Sequence, residues 1–266
     1  MNGEQVKKEG RRILFEGIVN CRDLGGLMTS DGRKVREGFL FRSANLQYAT
    51  DRDLMELKEC CGITEVVDLR NREEQSEHPD RTAPGILHVD MPIITEQMMG
   101  VTHEENLPPY EIWPQMGDLY IKFVTEEPLR NNIAGAVRHI MTRDFSTGGV
   151  LWHCYGGKDR CGLTAAFILS VLGVPYSAIK EDYMMTNITA AETAERLYNA
   201  VLERGGSQKE ADFEYDANIA RESYIDNAFA AVNEQHGGPV SFLKENGGVT
   251  EEEIENFRNK LIGYTL

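Results

Sequence analysis

The chain has 266 residues, 41% of them hydrophobic and 27% charged; this composition excludes a collagen-like or disordered class and is rich enough to bury a core without staples. Lys+Arg 28 against Asp+Glu 43 gives a formal charge of −15, which argues against nucleic acid and anionic membrane surfaces as partners. A small phosphorylated substrate stays admissible where one pocket is locally positive.

In chain order, Met1 to Phe15 is charged and lacks the apolar run of a signal peptide. Phe39–Phe41, the β-branched Ile63–Leu69 and Ile86–Ile93 are short apolar runs expected to form buried strands. Between the first two, Thr50 and Asp53 have capping-box spacing and open a helix to Cys61. From Thr95 to Asp118 the pattern dissolves into Met, Pro, Gly and Glu, so 95–118 is expected to be a lid or substrate loop, with a solvated loop as the plain alternative. Leu129–Arg143 predicts a helix with Ile133, Val137 and Ile140 on one face. Gly148–Cys154 predicts a buried strand, and Gly162–Leu172 an apolar helix stopped by Gly173 and Pro175. Helices follow at Ser177–Asn187, Ala190–Arg204, Ser223–Glu234 and Thr250–Ile262, the last with Thr250 and Glu253 as a capping box. Early strands and late helices predict an α/β core with helical C-terminal additions. No Pro/Ser-rich linker divides the chain, so one domain over 1–266 is expected, with 1–13 as an N-terminal extension. No stretch reaches the roughly 18 apolar residues of a membrane span, and no integral membrane association is expected.

The five cysteines, Cys21, Cys60, Cys61, Cys154 and Cys161, form no C-x-x-C pair. They point to free thiols in a reducing compartment, with no zinc site, no other metal and no cofactor expected. The default location is cytoplasmic.

Chemistry concentrates at His153-Cys154-Tyr155-Gly156-Gly157-Lys158-Asp159-Arg160, between an apolar strand and an apolar helix. Two glycines let backbone N–H groups from Tyr155 to Arg160 curl around one point, and the following helix aims its N-terminal dipole there. A thiol at that point is pushed toward thiolate, with Lys158 and Arg160 adding positive charge. Arg160 offers a planar fork for two phosphate oxygens. A Walker loop does not fit, because Trp152 stands where its first glycine belongs and Asp159 where Ser or Thr should follow the lysine. A buried structural cysteine is the remaining alternative.

This segment resembles the cysteine-phosphatase signature H-C-x5-R, and its G-K-D-R core is similar to a bacterial tyrosine phosphatase family. The same family carries an N-x-R-D-L-G-G motif, matched by Asn20-Cys21-Arg22-Asp23-Leu24-Gly25-Gly26. Further matches are Phe41-Arg42-Ser43-Ala44, Val67-Asp68-Leu69-Arg70 with Glu73-Glu74, and Glu181-Asp182-Tyr183 before Thr186-Asn187; with Phe229–Leu243 and the final helix the resemblance spans about residues 14–262. It implies a cysteine-phosphatase fold, a central and mostly parallel sheet flanked by helices. It also implies metal-independent hydrolysis of phosphotyrosine, with phosphoserine/threonine or phosphoinositides as further substrates, through a phosphocysteine on Cys154. Arg160 and the loop amides of Tyr155, Gly156, Gly157 and Lys158 would hold the phosphate. Some relatives act on host targets, which leaves export without a classical signal open.

For the general acid the resemblance points to Asp159, with Asp118 and Asp68 as alternatives; Trp113-Pro114-Gln115 has two residues of the familiar Trp-Pro-Asp loop and lacks its carboxylate. Against Asp159 stands the chance that Lys158 and Arg160 hold it ionised. Lys158, with Arg160, could hold a second phosphate of an inositol lipid, or be a solvated charge at the helix start. Arg22 and Asp23 are expected to brace the cysteine loop, Asp68 and Arg70 to reach its rim, Tyr155 to stack on an aryl phosphate or pack, and His153 to hydrogen-bond backbone near the thiolate. Cys161 replaces the usual Ser or Thr after the arginine and is a weaker donor, which predicts slower breakdown of the intermediate; it could also pair with Cys154 under oxidation or simply pack. Two other classes stay in view: sulfur transfer on a rhodanese-like loop, and a phosphate-binding module with little turnover.

Overall fold

The computed structural model describes residues 6–94 and 115–263. Seven strands form one sheet: β1 Lys8–Glu9, β2 Arg12–Ile13, β3 Arg22–Asp23, β4 Leu40–Ser43, β5 Ile63–Asp68, β6 Leu87–Asp90 and β7 Gly149–His153, in the spatial order β1-β2-β3-β4-β7-β5-β6. The four strands β4, β7, β5 and β6 run parallel, and the two-residue strands β1 to β3 add an antiparallel edge. Residues 8–13 are therefore the sheet edge, where the sequence suggested an extension; two-residue strands carry no period for a sequence to display.

Alternating side chains leave the parallel strands to opposite faces. Leu40, Val67, Val150 and Trp152 enter one apolar cluster, and Phe41, Ile63, Val66 and Leu151 enter another. The second cluster is covered by helix α1, Asp51–Glu59, closed at its start by the reciprocal Thr50–Asp53 capping box. A short α2, Arg72–Glu77, follows β5. The larger cluster lies under α3 Met116–Thr125, α4 Leu129–Thr142, α5 Asp159–Val171, α6 Tyr176–Met184, α9 Glu222–His236, α10 Pro239–Gly247 and α11 Glu251–Leu261. Helices α7, Asn187–Glu203, and α8, Gln208–Asn218, pack mainly on one another. Of the stretch expected to be a lid or substrate loop, 95–114 lies outside the described residues, and its last residues open α3. No described helix is long and apolar enough to cross a membrane.

Helix α5 sits at the centre, buried from Arg160 through Leu169; a helix apolar on all sides belongs there. The parallel registers put Ser43, His153 and Asp68 level with one another. The carboxyl ends of three strands thus open at one place, where parallel sheets hold their ligands.

Candidate active site

The loop from Cys154 to Lys158 joins β7 to α5, which begins at Asp159, three residues before the sequence-based start. Arg160 consequently lies in the first turn, on the dipole's positive end. Gly157 has φ +69°, and a Cβ there would meet the Ser43 carbonyl oxygen at 2.5 Å, so the close approach of the loop to the end of β4 requires glycine.

Every carbonyl of the loop beyond Cys154 is held from outside. Tyr155 O accepts from the Asn45 amide at 3.1 Å and Asn45 Nδ2 at 3.0 Å. Gly156 O accepts from Asn20 Nδ2 at 3.0 Å. Gly157 O and Lys158 O accept from Arg42 Nη2 at 2.8 and 3.3 Å. Among the described residues none accepts from the N–H groups of Tyr155 to Lys158. Carbonyls pinned outward leave the N–H groups free to converge on an anion.

Behind the loop lies a buried carboxylate, Asp182 on α6. Its oxygens meet Arg11 at 2.6 Å, Arg22 at 3.1 Å and Arg42 at 3.1 Å. Burial works against the charge, yet Arg22, Arg42 and Arg11 hold the carboxyl well below the usual range. Arg22, lowered to about 10 by burial and by Arg42, also donates to Asn20 Oδ1 at 2.7 Å and so positions the side chain that holds Gly156. Its link to the loop runs through Asn20. Asp23 takes the amides of Gly25 at 2.8 Å and Gly38 at 2.7 Å; it fixes the β3–β4 connection and does not touch the cysteine loop, contrary to expectation.

Cys154 is 3% exposed, and its thiol is pulled down to about 6, first by a hydrogen bond from the Cys161 thiol and then by the Arg160 charge and the Cys161 amide, against burial. The Cys161 thiol, raised by its own burial, keeps its proton and donates toward Ser43 O at 3.7 Å and Trp152 O at 3.8 Å. Arg160 is gripped end-on by Glu74, Nη1 to Oε2 and Nη2 to Oε1, both 2.6 Å. A guanidinium has five N–H donors, so those Glu74 leaves free can face a phosphate. Glu74 is in turn the capping-box residue of α2.

Asp159 Oδ1 accepts from Tyr120 Oη at 2.7 Å and lies 3.1 Å from Lys158 Nζ, which leaves Oδ2 to carry a proton. Asp68 is committed elsewhere, with Arg70 on both its oxygens at 3.0 and 2.8 Å. Asp118 is exposed in the first turn of α3. Lys158 is 4% exposed, and its ammonium donates to Ile219 O at 3.1 Å and Asp216 O at 3.4 Å, at the end of α8. Terminal carbonyls attract a cation, and these two share the ammonium with Asp159. Tyr155 is 49% exposed beside the His78 ring, centroids 5.0 Å apart, and stands at the mouth.

Arg70 also reaches Asp80 at 3.0 Å and His78 O at 2.8 Å. The His153 Nδ1 lies 3.2 Å from the Cys154 carbonyl. Asn45, Asp80 and Tyr120 escaped the sequence reading altogether, whereas Asn20, Arg42, Glu74 and Asp182 stood inside quoted motifs without an assigned contact.

The chain matches a family described as the tyrosine phosphatase family over residues 13–263. It is 31% identical over 245 residues to a tyrosine-protein phosphatase of Cupriavidus necator, covering 89% of this chain and 85% of that one. The triple specificity protein phosphatase PtpB of Mycobacterium tuberculosis is 24% identical, covering 93% and 98%. Among solved structures, the core catalytic domain of the PP-IP phosphatase SIW14 from S. cerevisiae is 13% identical over 74% of this chain and 88% of its own, with a TM-score of 0.32.

Proposed function

The chain belongs to the tyrosine phosphatase family, and from that premise we propose that it hydrolyses phosphotyrosine, with phosphoserine/threonine and phosphoinositide esters as further substrates, through a phosphocysteine on Cys154. The observation that carries the reading is Cys154 at the base of a loop whose carbonyls are all held from outside, with the Arg160 charge drawing its thiol toward thiolate.

The Cys154 thiolate attacks phosphorus and the ester oxygen leaves. Charge on the three equatorial oxygens is met by the loop N–H groups and by the donors of Arg160 that Glu74 leaves free. Asp159 delivers the proton to the leaving oxygen from Oδ2, while Tyr120 and Lys158 fix Oδ1. Asp159 then takes a proton from the water that attacks the phosphocysteine, and the Cys161 thiol eases departure of the sulfur by hydrogen-bonding it as a thiolate. The loop supplies the positive potential for which other phosphatases recruit metal ions.

Phosphate release from a phosphotyrosine peptide, a phosphoserine peptide and soluble phosphoinositides, with chelator present, tests this in wild type and Cys154→Ser. Release by wild type alone supports the cysteine route, and the ranking assigns the substrate class. Tight phosphate binding with no release from any member would leave a binding module, and turnover of thiosulfate would shift the reading to sulfur transfer.

A further inference from the structure

Beside Cys154 lies a largely buried ionic cluster that the reaction as described does not use. His153 has no exposed surface. Its Nδ1 faces two oxygens, the Cys154 carbonyl at 3.2 Å and Asp68 Oδ1 at 3.8 Å. Its Nε2 lies 2.9 Å from Asp80 Oδ2, off the line of an aligned hydrogen bond. A neutral imidazole carries one proton and one bare lone pair. Either tautomer would set that lone pair beside an oxygen lone pair. Only the doubly protonated ring presents a proton at both ends.

The charges around it add up accordingly. Asp68 and Asp80 are two anions, and Arg70 bridges them at 2.8 and 3.0 Å; a second cation balances the set. Burial alone would drive the His153 pKa down, but Asp80 and Asp68 outweigh it and raise it, against Arg70. His88 on β6 faces the same group, and burial lowers its pKa, which leaves it neutral. Asp80 itself is fixed, with Oδ1 accepting from the Leu46 amide at 2.8 Å. The two carboxylates and His153 could be mistaken for a metal site, their ligand atoms lying within 4.8 Å of one another. The Arg70 guanidinium, however, already fills the space between the carboxylates.

We infer that Asp80 is a positioning residue for the phosphatase reaction: it obliges His153 to carry both ring protons, so that Nδ1–H is held on the Cys154 carbonyl and a full positive charge stands one residue from the thiolate. The inference rests on the proposed phosphatase role for its catalytic meaning. Its tests need no substrate, so it can fail independently of that role.

Two measurements decide it. In wild type, 15N spectra of the imidazoles, with His153 assigned by difference from His153→Gln, are expected to show both of its nitrogens protonated at neutral pH and above. In Asp80→Asn the ring is expected to lose a proton by neutral pH, and the pH midpoint of Cys154 alkylation by iodoacetamide to rise by about one unit, which slows alkylation about tenfold at pH 5. A singly protonated His153 in wild type at pH 7 overturns the inference. So does a folded Asp80→Asn with a lower melting temperature and an unmoved alkylation midpoint, the pattern of a role confined to stability. If Asp80→Asn does not fold, the wild-type ring spectrum alone decides.

Discussion

Arg42 ties Asp182 to the cysteine loop: one guanidinium nitrogen lies 3.1 Å from the Asp182 carboxylate and the other 2.8 Å from the Gly157 carbonyl. The loop proposed to bind phosphate is thus anchored to a buried charge carried by α6.

Removing that charge leaves buried arginines uncompensated. Asp182→Ala is expected to cost about 3–5 kcal/mol of stability at neutral pH, measured by urea melts. Because Asp182 has its pKa lowered in the fold, its contribution is complete above the unfolded carboxyl value of about 3.9 and fades as pH falls below it toward the folded value. The gap between wild type and Asp182→Ala should therefore narrow in melts below pH 4. A gap of constant size would show that the arginines find other partners.

Cys161 supplies the largest pull on the nucleophile. Cys161→Ala is expected to raise the alkylation midpoint of Cys154 above about 6, and Cys161→Ser to keep it near there while speeding breakdown of the phosphocysteine, since a hydroxyl is the better donor. Stopped-flow bursts with an aryl phosphate measure the second effect. Unchanged burst size and steady-state turnover in Cys161→Ser would show that the thiol donates as well as a hydroxyl.

Asp159→Asn should lower turnover by about 10²–10⁴-fold for alkyl and tyrosyl esters, which need a proton on the leaving oxygen, and little for an aryl ester whose leaving group departs as a stable anion. Turnover of a tyrosyl ester by Asp159→Asn as fast as by wild type removes Asp159 from the acid's role.

Lys158→Gln is expected to loosen the α7–α8 pair, because it removes the ammonium from the carbonyls of Asp216 and Ile219. Hydrogen exchange at the end of α8 should rise, with exchange in α5 unchanged. Phosphoinositide turnover that falls while exchange stays constant would return Lys158 to the substrate.

The strand–loop–helix crossing at the centre is legible because its signals are local: an apolar run, two glycines, a basic fork, another apolar run. The capping boxes at Thr50 and Thr250 are legible for the same reason, each set by residues three apart. The partners of the loop are not. Arg22 and Asp182 stand 160 residues apart, as Arg160 and Glu74 stand 86 apart, and no periodicity connects them; the family motifs gathered these residues without saying what each touches. The neighbours of the Lys158 ammonium are equally hidden from the sequence, since only the packing of α8 brings the Asp216 and Ile219 carbonyls to it. The polar helix α8, with Ala211 its only buried residue, had no apolar stripe to announce it.

The outward-held carbonyls carry a practical consequence. Asn20, Asn45 and Arg42 hold the loop of the proposed anion receptor with no help from sulfur, so a protein lacking the proposed nucleophile is expected to keep its grip on what it can no longer cleave. Cys154→Ser is therefore a bait: immobilised and incubated with a phosphorylated extract, it would retain its own targets, to be released by free phosphate and identified by mass.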